Sequence, residues 1–453
     1  MTEGLFEAFR IPEVRKRILF TLWAIIVFRL GAWIPVPGVD PQQVQAIFQE
    51  LGQLGQFLSA FTGGALERFS IFALGVIPYI NASIILSLLV AVIPKLKELQ
   101  QQGEEGRRVI NKITRYGTVG LALLQAGGTS YVIYTQNLVQ AGQSFLGFMF
   151  ISIVALTTGT MFLMWLGERI TENGIGRGIS MLIMVGILAD YPRYVGQIWF
   201  DITNNPNPMN ALWLPLLLAI FVLVTAGVVM VQLGARRIDI QYAKRMVKGR
   251  VYGGHNTFLP LQVNQGGVIP IIFASALLAI PQTFLQFAQG AAWWPTYNEN
   301  NPAWQNAVAS FLEWLSTDLT RGLILYMALF ALLIFLFTYF YSAIVFNPRD
   351  LADNLRKWGG FVPGIRPGKP TTDFIESVQS RMLFIGALFL VAIALLPMII
   401  TNASGLTAFF LGGTSLLIVV GVGVDTVKQI EAHMVERRYE SLISKGAALG
   451  RRI

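Results

Sequence analysis

Long apolar runs separated by short polar connections dominate the chain, and their length suits membrane spans better than core helices. In order they cover 18–34, 71–93, 117–135, 148–167, 179–199, 211–233, 267–289, 321–346, 382–400 and 406–424, ten in all. Asp190, Pro192 and Arg193 interrupt the fifth. The second contains Pro78, which removes a backbone hydrogen bond and clashes with the carbonyl of Leu74, so a bend is expected. Before it, QFLSAFTGGALERF is too short and too polar to span, and Gly63-Gly64 breaks it. A short segment leading into a broken span reads as re-entrant, which requires protein or water around its backbone.

The pattern repeats. Gly75-Val76-Ile77-Pro78-Tyr79-Ile80-Asn81-Ala82-Ser83 matches Gly267-Val268-Ile269-Pro270-Ile271-Ile272-Phe273-Ala274-Ser275, as G-V-I-P-x-I-x-A-S. Further on, Gly178-Ile179-Ser180-Met181-Leu182-Ile183-Met184-Val185-Gly186 matches Gly413-Thr414-Ser415-Leu416-Leu417-Ile418-Val419-Val420-Gly421, as G-x-S-x-L-I-x-V-G. Two matches in the same order argue for internal duplication. Ten spans divide into two sets of five, and an odd number per repeat inverts the second half. The first motif then falls on the second span of each half, and the second motif on the fifth. Inverted repeats place their functional site at the repeat interface near the midplane, often on broken helices.

At 453 residues, 54% hydrophobic and 13% charged, composition fits an all-α polytopic membrane protein and excludes a soluble globule. The charged start MTEGLFEAFRIPEVRKR leads into a span with no small-residue cleavage site, so no cleaved signal peptide is expected. With the N-terminus in the cytosol, only Arg68, Arg193 and Arg321 lie outside and Arg29 lies within a span. The other 30 of 34 Lys and Arg residues fall at the cytosolic side or its membrane border, which fixes the orientation. Arg29, about 18 Å along its helix from Arg17, is expected to face the bundle in a structural role, although no acidic residue within a span presents itself as partner.

The chemistry of an enzyme is missing. Cys is absent and the two histidines, His255 and His433, lie far apart in cytosolic segments. No phosphate-binding loop is complete: Gly174, Gly176 and Gly178 follow a membrane helix, which reads as a tight turn between spans. No cofactor or metal is expected, and any energy source comes from a partner or a gradient. Of the loops, 35–62 has helical spacing near its end and could cap the outer mouth, while 290–320 reads as an aromatic-rich external loop. Two cytosolic loops exceed what topology needs. Residues 234–266 show strand-like alternation at Arg237-Ile238-Asp239-Ile240 and at Lys248–Tyr252, followed by Gly253-Gly254, which suggests a hairpin. Residues 347–375 read as a short helix followed by a Pro/Gly-fixed tip around Arg366. Their charge serves either topology alone or docking of an acidic partner.

Polar residues on the broken spans are few and neutral: Asn81, Ser83, Ser87 and Ser275. The repeat-related pairs Ile80/Ile272 and Ile183/Ile418 are all isoleucine. They read either as a hydrophobic constriction or as packed core.

Over essentially its whole length the chain resembles the SecY family of protein-conducting channels. The resemblance rests on GGALERFSIFALGVIPYINASII, GTMFLMWLGERITENGIGRGIS, VNQGGVIPIIFAS, NPRDLADNLRKWGGFVPGIRPGKPT and FFLGGTSLLIVV. It implies two inverted five-helix halves around an hourglass pore with a re-entrant plug helix, the halves being 1–200 and 201–433, with a cytosolic tail over 434–453. The pore ring it implies is Val76, Ile80, Ile179, Ile183, Ile272 and Ile418. The plug is Phe61, Thr62, Gly63, Gly64, Ala65, Leu66, Glu67, Arg68 and Phe69. A lateral gate between the second, third, seventh and eighth spans would include Asn81, Gln125 and Ile280. Docking falls to Arg236, Arg237, Lys244, Arg245, Lys248, Arg250, Arg356, Lys357 and Arg366.

By the same resemblance, unfolded secretory polypeptides bearing signal sequences cross the cytoplasmic (inner) membrane through this chain, and transmembrane segments leave sideways among membrane lipids. Both termini would lie in the cytosol. The implied partners are SecE, SecG, the SecA ATPase and the ribosome, through its protein and RNA. An inverted-repeat secondary transporter for an apolar substrate is the rival reading.

Overall fold

The computed structural model of the chain describes residues 11–50, 59, 62–136, 138–140, 142–204, 208–242, 245–247, 250–252, 256–289, 302–320, 324–404 and 414–450. The elements run α1 (Pro12–Gly31), α2 (Pro41–Glu50), α3 (Ile77–Val92), α4 (Pro94–Gln101), α5 (Glu104–Thr135), α6 (Phe145–Asn173), α7 (Gly178–Asn204) and α8 (Pro208–Leu233). Then come β1 (Ala235–Tyr242), β2 (Arg245–Val247), β3 (Arg250–Tyr252), β4 (Asn256–Gln262), α9 (Ile269–Gln289), α10 (Ala303–Thr320), α11 (Ile324–Val345), α12 (Pro348–Lys357), β5 (Gly360–Phe361), α13 (Lys369–Ser404) and α14 (Thr414–Gly450). Helices α1, α3, α5, α6, α7, α8, α9, α11, α13 and α14 occupy the ten expected spans.

Among the described residues α6, α11 and α13 are long and apolar enough to cross a membrane on their own, and α3 with α4 forms a span bent by 105°.

Several boundaries differ from the sequence reading. The second span begins at Ile77, not Ile71, because residues 71–76 form consecutive turns. Pro78 therefore lies in the first turn of α3, where its missing N–H costs nothing, and the bend expected there is absent; the sharp break comes at Ile93–Pro94 instead. The second repeat builds the same start. Gly75 and Gly267 both take left-handed backbone, φ +55° and +60°, and each is followed by Val, Ile and then Pro at the head of a helix. The G-V-I-P motif is thus a helix-initiation device.

Helix α5 starts at Glu104, so much of the charged connection before it is helical. A Cβ on Gly106 would fall 1.6 Å from the carbonyl oxygen of Leu99, so glycine alone permits that turn. The fifth span is one continuous helix despite Asp190, Pro192 and Arg193: α7 runs through Pro192 to Asn204 and covers the expected 179–199. Residues 303–320, expected in an external loop, form α10. The glycine turn after α6 is as expected. Its amides are already satisfied: Ile175 N–H donates to Thr21 Oγ1 (3.0 Å), Gly176 N–H to Gln429 Oε1 (2.8 Å) and Gly178 N–H to Thr171 Oγ1 (2.9 Å).

The two halves meet along two seams. Helix α3 packs on α9, and α7 packs on α14, so each motif-bearing helix faces its own repeat partner. One hydrophobic core crosses both seams. The two stretches expected to form a hairpin both contain strands but do not pair with each other: β1 pairs with β4, and β3 pairs with β2, Met246 opposite Val251. The larger sheet runs in the order β4-β1-β5, all antiparallel. Strand β5 comes from the second cytosolic loop, so the two loops form one unit.

Candidate pore and gate

All six residues of the expected ring belong to or border one hydrophobic core. Val76, Ile80, Ile183, Ile272 and Ile418 are buried in a single core, and Ile179 packs against it. They arrive from α3, α7, α9 and α14, the four helices that form the two seams. Their branched aliphatic side chains offer no hydrogen bond to water. Ala65 of the plug belongs to the same core.

The segment expected as the plug is held in the bundle by polar as well as apolar contacts. Gly63 and Gly64 adopt φ +63° and +78° and turn the chain back toward α3. A Cβ on Gly63 would lie 2.9 Å from both Gly186 Cα and Arg29 Nη1, so only glycine allows the plug this close to α7. Arg29 Nη1 donates to the Gly63 carbonyl oxygen at 2.8 Å. Glu67, almost fully buried, is ion-paired with Arg193. The Arg68 guanidinium lies 3.6 Å from the ring centroid of Trp33. Leu66 and Phe69 pack instead into a second core with Val36, Val39 and Val44 of the external loop and with Ala126 and Phe148. Phe69 holds φ +46°, a left-handed turn rare for an aromatic, and its carbonyl accepts Val36 N–H at 2.9 Å. Phe61 lies outside the described residues.

Arg29, Trp33 and Arg193 were not assigned to the plug from the sequence. The available signal was the cost of an arginine within a span, which demands a partner nearby.

Of the gate residues, Asn81 is buried on α3 and Gln125 is half-buried on α5, which packs against α3. Ile280 belongs to α9, but its side chain lies outside the described residues. Helix α3 packs on α9, while α5 lies against α3 and α11 against α9. The cytosolic arginines are presented to solvent. Arg236 and Arg237 are exposed on β1, and Arg237 lies 4.8 Å from the Phe258 ring centroid. Arg356 and Lys357 end α12, whose Ala352 and Leu355 are buried on the opposite face. Arg366 is exposed at its tip, where its carbonyl accepts the Thr371 hydroxyl at 2.8 Å. Lys244 and Lys248 lie outside the described residues, as do the side chains of Arg245 and Arg250.

A family model described as SecY matches residues 70–427. The protein translocase subunit SecY of Thermotoga maritima is 45% identical over 460 residues, covering all of both chains. That of Pseudomonas aeruginosa is 43% identical over 441 residues, covering 97% of this chain and 95% of the relative. Among solved structures, a protein-conducting channel aligns with TM-score 0.62 at 16% identity over 93% of each chain. Sec61 from a canine ribosome-channel complex aligns with TM-score 0.57 at 16% identity, again over 93% of each. The structures establish a shared fold, and the end-to-end sequence matches go further: the chain belongs to the SecY family.

Proposed function

We propose that this chain is the pore-forming subunit of a protein translocation channel in the cytoplasmic membrane, passing unfolded polypeptides through the ring and releasing transmembrane segments between α3 and α9. The observation that carries this reading is the meeting of both repeat motifs at one plugged aliphatic constriction, with no polar ligand set at its level. A solute transporter needs a substrate site there; a channel for arbitrary sequences needs a wall without preferences. The test is reconstitution in proteoliposomes with a secretory precursor and an ATP-driven motor. Protease-protected precursor inside the vesicles supports the channel. Uptake of a small apolar solute with no protected precursor would establish the transporter.

The exposed arginines of the cytosolic sheet and the α12 tip suit the acidic surface of a motor such as SecA, or ribosomal RNA. Arg366→Glu is expected to lower motor-driven translocation by about tenfold while leaving detergent-solubilised stability unchanged, since the side chain is exposed. Translocation at the parent rate removes Arg366 from the docking surface. SecE clamping the two halves and SecG at the periphery complete the assembly in this reading, with both termini cytosolic.

The α3–α9 seam serves as the lateral exit. Cysteines replacing Asn81 and Ile280, in a chain with none of its own, are expected to couple through a disulfide or a short linker and block signal-sequence entry. Cross-linked channels that translocate and insert as fast as reduced ones would place the exit elsewhere.

A further inference from the structure

Hydrogen bonding is unfinished at the cytosolic end of the C-terminal half. A cavity of about 120 Å³ opens there, lined by Arg177, Gln232, Gln262, Asn264, Gln265 and Lys428 among others. Gln232 and Asn264 are only 8% and 6% exposed. Each keeps a buried side-chain oxygen without a protein partner, and Gln265 keeps a buried Nε2 in the same condition. Unpaired buried polar atoms are costly, and three around one cavity call for something that pairs with them.

The other ends of two of these amides are occupied. Asn264 Nδ2 donates to the Gly267 carbonyl at 2.9 Å. Gln265 Oε1 accepts from Ser342 Oγ at 2.7 Å and from Gln379 Nε2 at 3.1 Å. These bonds set the orientation of both amides, so the atoms left over are two acceptors and one donor.

The cavity sits just before the ring. Val268 and Val422, one turn from Ile272 and Ile418, belong to the ring's core, and Asn264, Gln265 and Asp425 follow immediately on the cytosolic side. Along α14, Asp425 is about 10 Å from Ile418. Arg177 directly precedes α7 and its ring residues. Gly421 lets Gln232 approach: a Cβ there would meet Gln232 Nε2 at 2.6 Å and Val268 Cγ1 at 2.4 Å. The cavity is thus built on the helices that carry the ring.

We propose that this cavity is a receptor for the peptide backbone of the polypeptide in transit, holding one extended peptide unit at the threshold of the ring. The proposal rests on the channel reading above. Two amide acceptors and one amide donor match the N–H and C=O groups that each non-proline residue brings, whatever its side chain. An extended chain about to enter a dry constriction has those groups unpaired, and here they exchange water for fixed partners. A volume of about 120 Å³ admits a peptide unit or about four waters, but not a helix of 10–12 Å diameter, so the site also favours unfolded chain.

The absence of native cysteine makes a cross-linking test direct. Gln262→Cys, at an exposed position lining the cavity, and Ile80→Cys in the ring are each combined with stalled precursors carrying one cysteine at successive positions. Both are expected to form disulfides, with the preferred precursor positions for the ring cysteine displaced along the precursor from those for the cavity cysteine. Ring cross-links without cavity cross-links overturn the receptor and leave the channel standing; loss of both, with the motor active, sinks the channel reading itself. In a second arm, Gln232→Met and Asn264→Leu remove the acceptors at similar size. Several-fold slower translocation, equally for precursors of different side-chain composition, is expected. Unchanged rates in stably folded variants would mean a water-filled cavity only and overturn the proposal.

Discussion

Ile418→Asn is expected to make the empty channel leak ions and to admit precursors with weakened signal sequences. Ile418 is completely buried where α14 meets α7 and shares its core with the other ring residues and Ala65 of the plug. Burial of such a side chain is worth about 1.5–3 kcal/mol, and an amide in its place also invites water. A shift of that size in the closed-to-open equilibrium corresponds to roughly 10- to 100-fold more open time. Single-channel recording in planar bilayers measures it directly. Ile80→Asn, on the opposite seam, should behave alike. Ile393→Asn supplies the control: Ile393 is buried in the same core but lies on α13, outside both repeat motifs. It should cost stability without leak. If all three variants lower stability and none leaks, the ring isoleucines are packing alone and the barrier lies elsewhere.

Reversing the charge of Glu67 should release the plug. Glu67 is almost fully buried and pairs with Arg193, whose side chain is 35% accessible. A hydrogen-bonded charge pair of this kind contributes about 1.5–3 kcal/mol, and placing Lys at position 67 replaces the attraction to Arg193 with repulsion. Glu67→Lys is therefore expected to raise plug displacement at least about tenfold, read as resting conductance or as labelling of a cysteine placed at Ala65. The double variant Glu67→Lys with Arg193→Glu restores the pair with its poles exchanged and should return conductance most of the way. Equal leak in the single and double variants would mean that the pair does not hold the plug.

Both residues also show where the sequence could be read and where it could not. Spans were legible because apolar runs of membrane length have few other uses, and the repeats were legible because glycine and proline mark helix starts. Asp190, Pro192 and Arg193 interrupt the fifth apolar run because hydropathy counts a charge without its partner. The partner of Arg193 is 126 residues away on the plug, and the helix continues past it. Strand β4 was missed because Asn256–Gln262 contains Pro260 and alternates weakly, and only pairing with β1 makes it a strand. Two-residue β5 carries no pattern at all and exists because β1 offers it an edge. The ring isoleucines were legible as symmetric pairs, but their convergence with Ala65 needed the three-dimensional packing.

The shared cytosolic sheet turns two loops into a lever. Strand β4 runs through Gln262 and Asn264 into the head of α9, while β1 continues directly from α8. Ile238 and Leu261 of the sheet pack with Val362 and with Val378 of α13, which pins it at a second point. A force on either arginine-bearing tip therefore cannot deflect one loop alone and is passed into the head of α9, one wall of the α3–α9 seam.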